Sequence, residues 1–200
     1  PVIPRLVELM AQQPRLYRFL HMPLQYGEDG ILAAMGRRYT VAEFAAQAAA
    51  AAARVPGLCL GTDLIVGFPG ETEAAFAACC RAVAQIPFSR LHLFSYSPRP
   101  GTRAAALPGA VPARTAAARY AQLASLAAAK AAAFARRQVG TTVAVITETR
   151  NARGHWEGWS DNYLRVEILA PGGTLTANRL VPVRVTRVGD GDAVAGERDD

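Results

Sequence analysis

A nearly continuous apolar run, Gly-Leu-Cys-Leu-Gly-Thr-Asp-Leu-Ile-Val-Gly at residues 57–67, restricts the fold more than any other segment. Runs of this kind are typical of strands that are covered on both faces in a parallel sheet. The loop Phe-Pro-Gly-Glu-Thr follows at 68–72, and a helix is predicted over 71–85, with Glu71 and Glu73 in its first turn. Because loops after parallel strands meet at the carboxyl edge of the sheet, where ligands bind, we expect a small-molecule site there.

Two further strands are predicted, one on each side of this unit in the sequence. Residues 18–24 and 90–96 are apolar segments that each end in a polar or proline-rich loop. Thr40 begins another helix, and Glu43 completes a capping box with it. The order β-α-β-α-β, with right-handed crossovers, is half of a larger sheet or barrel. The helices predicted around these strands, besides 71–85, are 3–13, about 31–37 and about 40–54.

The pattern of apolar and polar residues changes near Val139. A long alanine-rich helix is predicted over 112–138 as a connector, and the segments after it alternate apolar and polar residues with a period of two. Several short strands of this kind predict a small β-barrel. The fold class is therefore α/β followed by all-β, with an α/β domain at 1–138 and a β domain at 139–200. The strands predicted in the second domain are 141–147, 163–168 and 180–185.

The charge of the chain is unevenly distributed. The net charge is +6 over 200 residues, and residues 101–187 carry twelve basic residues against four acidic ones. A basic second half fits a polyanionic partner such as RNA, although an ordinary basic surface would give the same count. No apolar run approaches the roughly 20 residues that span a bilayer, so no membrane partner is expected, and nothing favours DNA.

The cysteines predict neither disulfides nor a metal site. Cys59, Cys79 and Cys80 are odd in number and two are adjacent in a predicted helix, so we expect thiols in a reducing, cytoplasmic compartment. Adjacent side chains on a helix point about 100° apart, and no third ligand lies nearby. We therefore expect these cysteines to be small buried apolar residues.

Five blocks of the sequence resemble a known enzyme family. In their order they resemble the methylthiotransferases among the radical S-adenosylmethionine (SAM) enzymes, which end in an RNA-binding TRAM domain. The resemblance implies the second half of a partial radical SAM (β/α) barrel, followed by a small OB-like TRAM β-barrel. The blocks are His-Met-Pro-Leu-Gln-Tyr-Gly at 21–27, Met-Gly-Arg-Arg-Tyr-Thr at 35–40, the strand and loop at 62–72, Ser-Tyr-Ser-Pro-Arg-Pro-Gly-Thr at 95–102, and Gly-Trp-Ser-Asp-Asn-Tyr at 158–163.

The resemblance also implies a reaction and its partners. The family attaches a methylthio group to C2 of a modified adenosine beside the tRNA anticodon, or to an aspartate of a ribosomal protein. The β-domain motif is most similar to the branch acting on N6-threonylcarbamoyladenosine, and the isopentenyladenosine branch is the closest alternative. We expect SAM as the cofactor and the tRNA anticodon stem-loop as the partner. A non-catalytic RNA-binding protein is the competing hypothesis.

Two departures from the family bear on activity. Tyr26 stands where the family usually has serine. The Cys-x3-Cys-x2-Cys motif is absent, so the ligands of the two [4Fe-4S] clusters that the family uses would lie upstream of Pro1. We therefore expect this chain alone to be inactive, and assign it no catalytic residue and no metal ligand.

Seven residues are predicted to contact SAM. Gly67 and Gly70 allow close approach of the backbone, and N–H groups before the following helix can receive a polar ligand. Arg37, at the family's Met-x-Arg position, suits a bidentate bond to the SAM carboxylate. The remaining four also have structural explanations in turn formation, helix-dipole compensation or loop packing. These four are Gln25, Asp63, Glu71 and Tyr96.

Guanidinium and aromatic side chains predict the RNA contacts, because phosphate pairing and base stacking hold flexible RNA loops. Some aromatic side chains must fill the small barrel, and Tyr163 is expected to do so. His21, in an apolar strand, is expected to be a core or hydrogen-bonding residue. The predicted RNA-binding residues are Arg99, Arg150, Arg153, Trp159 and Arg165.

Overall fold

The computed structural model describes residues 2–169, 175–189 and 193–199. Strands β1 (Phe19–His21), β2 (Cys59–Val66) and β3 (Arg90–Ser95) form a parallel sheet with β2 in the centre. The helices are α1 (Val2–Gln12), α2 (Asp29–Ala34), α3 (Val41–Arg54), α4 (Glu73–Gln85) and α5 (Ala113–Gln138), with a short 3-10 helix at Arg103–Ala106. None of the helices in these ranges is long and apolar enough to cross a membrane.

The second part of the chain is a closed barrel. Its strands are β4 (Thr142–Arg150), β5 (Trp156–Ser160), β6 (Arg165–Ile168), β7 (Leu180–Val188) and β8 (Val194–Arg198). They follow the order β4-β5-β6-β8-β7 around the barrel, and every pair is antiparallel except β6 with β8. An α/β unit followed by an all-β unit is therefore observed, in the predicted order.

The helices begin where local hydrogen bonds favour them. Thr40 Oγ1 accepts a bond from the Glu43 N–H at 3.2 Å, and the Glu43 carboxylate accepts one from the Thr40 N–H at 2.8 Å, which confirms the capping box. The hydroxyl of Thr72 caps α4 by reaching an N–H of the first turn at 3.1 Å. The prediction that Glu71 lies in the first turn of α4 is therefore wrong, because the helix begins after Thr72.

β1 is shorter than the strand predicted at 18–24. Pro23 has no N–H to donate, so regular pairing with β2 stops before it. The chain rejoins β2 at Gln25, whose N–H donates to the Asp63 carbonyl at 2.8 Å and whose carbonyl accepts from the Ile65 N–H at 2.9 Å. This bridge keeps the first strand aligned with the second up to the carboxyl edge.

The two faces of the sheet differ in burial. On the face covered by helices, Leu20, Leu60 and Leu64 are buried. The opposite face carries Asp63, which is half-buried, and Phe94, which is 51% exposed. On this face the two-sided burial expected from the apolar run is met at Cys59, near the amino end of β2, but not toward the carboxyl end of the strand. An open face of this kind fits a partial barrel.

The barrel contains two strands, β5 and β8, that the sequence patterns do not predict. β5 reads Trp-Glu-Gly-Trp-Ser, without a run of β-branched residues, and a Cβ on Gly158 would lie only 1.8 Å from the Ile146 carbonyl oxygen. Trp156 is 9% exposed and packs in the core, whereas Tyr163 is 40% exposed. The expectation that Tyr163 fills the barrel is wrong. Tyr163 lies in a turn with φ of 64°, and the next residue, Leu164, is the one buried in the core.

Packing is continuous between the sheet and the barrel. Phe134 and Ala135 of α5, together with Cys59 of β2, belong to the core cluster of the barrel. Arg18 makes two bonds to the Asp161 carboxylate, at 2.7 and 2.9 Å. Secondary structure changes near residue 139, as the sequence predicts, but the core crosses that point. The division into two independent domains stays a prediction.

Candidate functional site

The carboxyl ends of the three strands lie side by side. Gln25 is bonded to β2 through both its N–H and its carbonyl, and the Tyr96 N–H donates to the Val66 carbonyl at 2.8 Å. Gln25 has a φ of 72°, in the left-handed region that side chains rarely adopt. Such conformations concentrate at functional sites. The predicted residues Gln25, Gly67 and Tyr96 therefore share one edge of the sheet.

The turn after β2 is held by a buried ion pair. The Gly67 N–H donates to Glu71 Oε2 at 2.9 Å, and Arg119 Nη1 donates to Glu71 Oε1 at 2.8 Å and to its carbonyl at 3.0 Å. The side chains of Glu71 and Arg119 are 0% and 8% exposed. The Gly70 N–H donates to the Gly109 carbonyl at 2.8 Å. Because the N–H groups of both glycines are bonded within the chain, these glycines can offer a ligand close approach rather than hydrogen bonds.

Glu71 supports this turn from behind. Both of its carboxylate oxygens are bonded within the chain, and Tyr26 lies fully buried near it. Burial, and then the negative charge of Glu71, raise the pKa of the Tyr26 hydroxyl, so this residue is neutral. A direct contact between Glu71 and SAM stays a prediction, and the bonds in the structure give it the alternative role of shaping the turn.

The sequence patterns do not single out Arg119, although its bonds to Glu71 help to hold the turn after β2. Arg119 and Leu123 are four residues apart on α5, and both are buried. The arginine therefore lies on the packed face of an alanine-rich helix. A charged residue at such a position is a signal for a buried partner, because an unpaired buried charge is costly.

A cavity of about 570 Å³ opens beside the turn. Sites for small molecules commonly have about 300–1,000 Å³ and apolar walls with a few polar groups. The Tyr96 hydroxyl oxygen is buried and lacks a hydrogen-bond partner among the described residues, and its ring packs edge-on against Phe68 at 5.2 Å between centroids. A ligand atom could satisfy this costly unpaired hydroxyl. Residues that line the cavity include Val66, Gly67, Ser95, Tyr96, Ala113 and Ala116.

Of the seven predicted SAM residues, Gly67 and Tyr96 line the cavity, whereas Gln25, Arg37, Asp63, Gly70 and Glu71 do not. Arg37 is exposed after α2; burial raises the pKa of Tyr39, and the charge of Arg37 partly offsets this. The Tyr39 hydroxyl donates to the Leu24 carbonyl at 3.1 Å, so Arg37 lies near the end of the first strand. Asp63 is on the open face of the sheet, with Oδ1 3.2 Å from His21 Nε2. Their roles toward SAM stay predictions.

The open face of the sheet carries a polar row that spacing along the chain does not reveal. Asp63 is in register with His92 on β3, and the rings of His21 and His92 are 5.6 Å apart. His21 is exposed and pairs with Asp63, so it is the hydrogen-bonding rather than the core residue of the two alternatives. Among the described residues, no group of three His, Cys, Asp or Glu is arranged to hold a metal ion.

Trp159 and Arg165, both predicted to bind RNA, are engaged within the chain. Trp159 stacks on Tyr163 with ring centroids 5.0 Å apart, and the Arg165 guanidinium lies 5.7 Å from the indole centroid. Arg165 also pairs with Glu148, and with Glu157 at 3.0 Å. Because the half-buried indole is already stacked and the guanidinium is neutralised, an RNA contact at either residue would have to compete with these contacts.

The other predicted RNA-binding arginines are more accessible. Arg150 is exposed and lies 4.9 Å from the centroid of the Trp156 ring. The side chain of Arg153 is 70% exposed and pairs with Glu167 at 3.7 Å, where a pair contributes little. Arg99 is exposed in the loop after β3. Their contacts with RNA stay predictions.

Known proteins provide relatives for this chain, although no protein-family model matches it. It is 41% identical over 192 residues to the tRNA-2-methylthio-N(6)-dimethylallyladenosine synthase of Sorangium cellulosum. It is 43% identical over 136 residues to the synthase of that name from Coxiella burnetii. The chain is similar to one part of these synthases. The matches cover 92% and 68% of this chain but only 39% and 31% of the two relatives.

A solved structure shares much of this fold. Coproporphyrinogen III oxidase (HemN) from Escherichia coli, described as a radical SAM enzyme, superposes with a TM-score of 0.52 and 16% identity. The match covers 74% of this chain and 37% of the oxidase. These findings support the resemblance to the methylthiotransferase family and fit a partial radical SAM domain followed by a small barrel. They do not confirm the threonylcarbamoyladenosine branch.

Proposed function

We propose that this chain forms part of a cytoplasmic tRNA methylthiotransferase that adds a methylthio group to C2 of an N6-modified adenosine beside the anticodon. The similarity over 192 residues to a tRNA-2-methylthio-N(6)-dimethylallyladenosine synthase carries the proposal. The cavity at the strand ends supports it from the structure, since the Tyr96 hydroxyl at its wall has no hydrogen-bond partner in the described part of the chain.

In this proposal the strand ends of the sheet bind SAM, which supplies the radical for the reaction when it is bound. Gly67 lines the cavity without a side chain, so the ligand can lie against the backbone. The Tyr96 hydroxyl is available to bond a polar atom of the ligand. The backbone of Gln25 is bonded to β2 at the neighbouring strand end, and Arg119 supports the turn through Glu71.

In this proposal, residues outside this chain bind the iron–sulfur clusters. Among the described residues no metal-binding group is found, and burial raises the pKa of the Cys79 thiol to about 12, which disfavours a thiolate ligand. The residues present therefore do not fit the two [4Fe-4S] clusters that the family uses. Their part is to bind and orient SAM and the substrate.

Two observations favour different substrates. The named relatives point to dimethylallyladenosine, also called isopentenyladenosine, in tRNA. The block Ser-Asp-Asn-Tyr-Leu-Arg-Val at 160–166 resembles the branch acting on N6-threonylcarbamoyladenosine. Both substrates present an adenosine C2 beside the anticodon, so the choice depends on contacts with the N6 substituent.

An assay with the product of the intact gene tests the proposal. The reconstituted protein, SAM and a reductant are incubated with tRNA carrying either modified adenosine, and the nucleosides are analysed by mass spectrometry. A methylthio group on one adenosine confirms the reaction and identifies the substrate. Binding of tRNA without any product would favour a non-catalytic RNA-binding protein, and a methylthio group on a ribosomal protein would replace the tRNA assignment.

A further inference from the structure

A second cavity, of about 610 Å³, lies between α3, the end of α5 and the segments that lead into β1, β2 and β3. Most of its wall is apolar, with Phe88 and Phe134 among the contributing residues. Three basic side chains also line it: Arg18, Lys130 and Arg137. No acidic residue of the described chain is part of the lining. The chain thus places three basic side chains around a mainly apolar cavity that precedes the strands, rather than at their carboxyl ends.

Much of the positive charge of the chain lies before and along α5 rather than in the barrel. Residues 101–147 contain six basic residues and no acidic one. Residues 139–200 contain seven arginines against nine carboxylates. Because binding of a polyanion depends on local positive potential, α5 and its surroundings are better suited to it than the barrel alone.

Lys130 is held at the cavity by backbone groups. Its Nζ donates to the Ala84 carbonyl at 3.0 Å and to the Ile86 carbonyl at 2.8 Å, which leaves one of its three N–H groups for another acceptor. Burial, and then the positive charge of Arg137, lower the Lys130 pKa. Both cations line the same cavity, so an anion bound there would offset their like charges.

The other basic residues differ in how far they are neutralised. Asp161 neutralises Arg18, whose Nη1 also donates to the Pro56 carbonyl at 3.2 Å. Arg137 is exposed and packs over the Phe134 ring at 5.6 Å, a contact that leaves its charge in place. Lys130 and Arg137 are thus the two cations of the cavity without a carboxylate partner among the described residues.

We propose that Lys130 and Arg137 bind a phosphate group in this cavity, and that the phosphate comes from the RNA backbone. The proposal deepens the proposed function, since it rests on RNA being the partner. It locates an RNA contact on the connector helix, between the sheet and the barrel, in addition to the predicted arginines of the barrel.

Two single variants of the 200-residue chain test this site. Arg137→Gln removes a cation that lines the cavity, and Arg136→Gln removes the adjacent exposed cation, which does not line it. Both lie in the last turn of α5, so each variant loses the same charge at nearly the same place. The probes are inorganic phosphate, followed by NMR of the backbone amides, and a fluorescent tRNA anticodon stem-loop, followed by anisotropy at several salt concentrations.

We expect phosphate to shift the amide signals around residues 130–138 in the unchanged chain and in Arg136→Gln, but not in Arg137→Gln. Stem-loop binding should weaken about three- to tenfold in Arg137→Gln, and the slope of log affinity against log salt should fall by about 0.7–0.9. Arg136→Gln should change the affinity by less than about twofold. Circular dichroism spectra that match the unchanged chain confirm folding of both variants.

Other results would overturn the proposal. Equal losses in the two variants would mean a diffuse basic helix surface rather than a site. If phosphate caused no shifts, the cavity would not be a phosphate site. If phosphate bound but Arg137→Gln left the stem-loop affinity unchanged, the phosphate would not come from RNA. These measurements report binding only, so their failure is distinguishable from failure of the methylthiotransferase assay.

Discussion

Replacing Arg119 by methionine should remove the support of the turn after β2. Methionine keeps an unbranched stem but lacks the guanidinium, which makes two bonds to Glu71, at 2.8 and 3.0 Å, and one to Glu73 at 3.0 Å. The bond to Glu73 contributes little, because that side chain is 85% exposed. The energetic consequence therefore comes from Glu71, whose side chain is 0% exposed.

The magnitude follows from leaving a buried carboxylate without its partner. Removing one member of a buried ion pair costs about 3–5 kcal/mol of unfolding free energy, or roughly 10 °C in melting temperature for a chain of this size. A second change, Glu71→Gln, removes the stranded charge but keeps a side-chain oxygen for the Gly67 N–H. The double variant should therefore recover about 1–3 kcal/mol relative to Arg119→Met alone.

Urea unfolding at neutral pH, followed by circular dichroism, measures these differences. Arg114→Met is the matched control, since Arg114 is exposed on the same helix, and it should change stability by less than about 0.5 kcal/mol. A loss below about 1 kcal/mol for Arg119→Met would refute the reasoning. A double variant no more stable than the single one would do the same, because it would show that no stranded charge was relieved.

Three further predictions concern the contact between the sheet and the barrel, the turn after β2, and the thiol of Cys79. Asp161→Ala breaks the two bonds to Arg18 and should cost about 2 kcal/mol in urea unfolding, whereas an unchanged midpoint would contradict the continuous packing of sheet and barrel. Gly67→Ala should cost about 1–3 kcal/mol, since φ is 79° and the new Cβ would lie 3.0 Å from the Ala116 Cβ; a neutral effect would mean that the turn is not rigid. Cys79, buried with a pKa of about 12, should resist alkylation in the folded chain and react in urea, and labelling of the folded chain detected by mass spectrometry would contradict this.

Features encoded in neighbouring residues could be predicted from the sequence. The apolar run at 57–67 predicts the central strand, and Thr40 with Glu43 predicts the helix start that the structure shows. The strand-end residues Gln25 and Tyr96 also share an edge, as the logic of a parallel sheet requires. Local pattern and strand topology are sufficient for these features.

Features that depend on contacts between distant segments could not be predicted. Glu71 meets Arg119 across 48 residues, so sequence spacing suggests a helix-dipole role where the structure shows a buried pair. The sequence predicts Tyr163 in the barrel core. In the structure it stacks on Phe19 instead, with ring centroids 4.4 Å apart, and therefore lies outside that core. The contacts of Trp159 could not be predicted for the same reason, since one of them comes from Arg90, 69 residues away along the chain.

Nucleoside analysis of tRNA from a strain that lacks the intact gene tests the central claim most directly. The claim predicts that methylthio-modified adenosine disappears from the position beside the anticodon, that its precursor accumulates, and that the intact gene restores the modification. An unchanged level of methylthio-modified adenosine in the deletion strain would contradict the assignment of this chain to a tRNA methylthiotransferase.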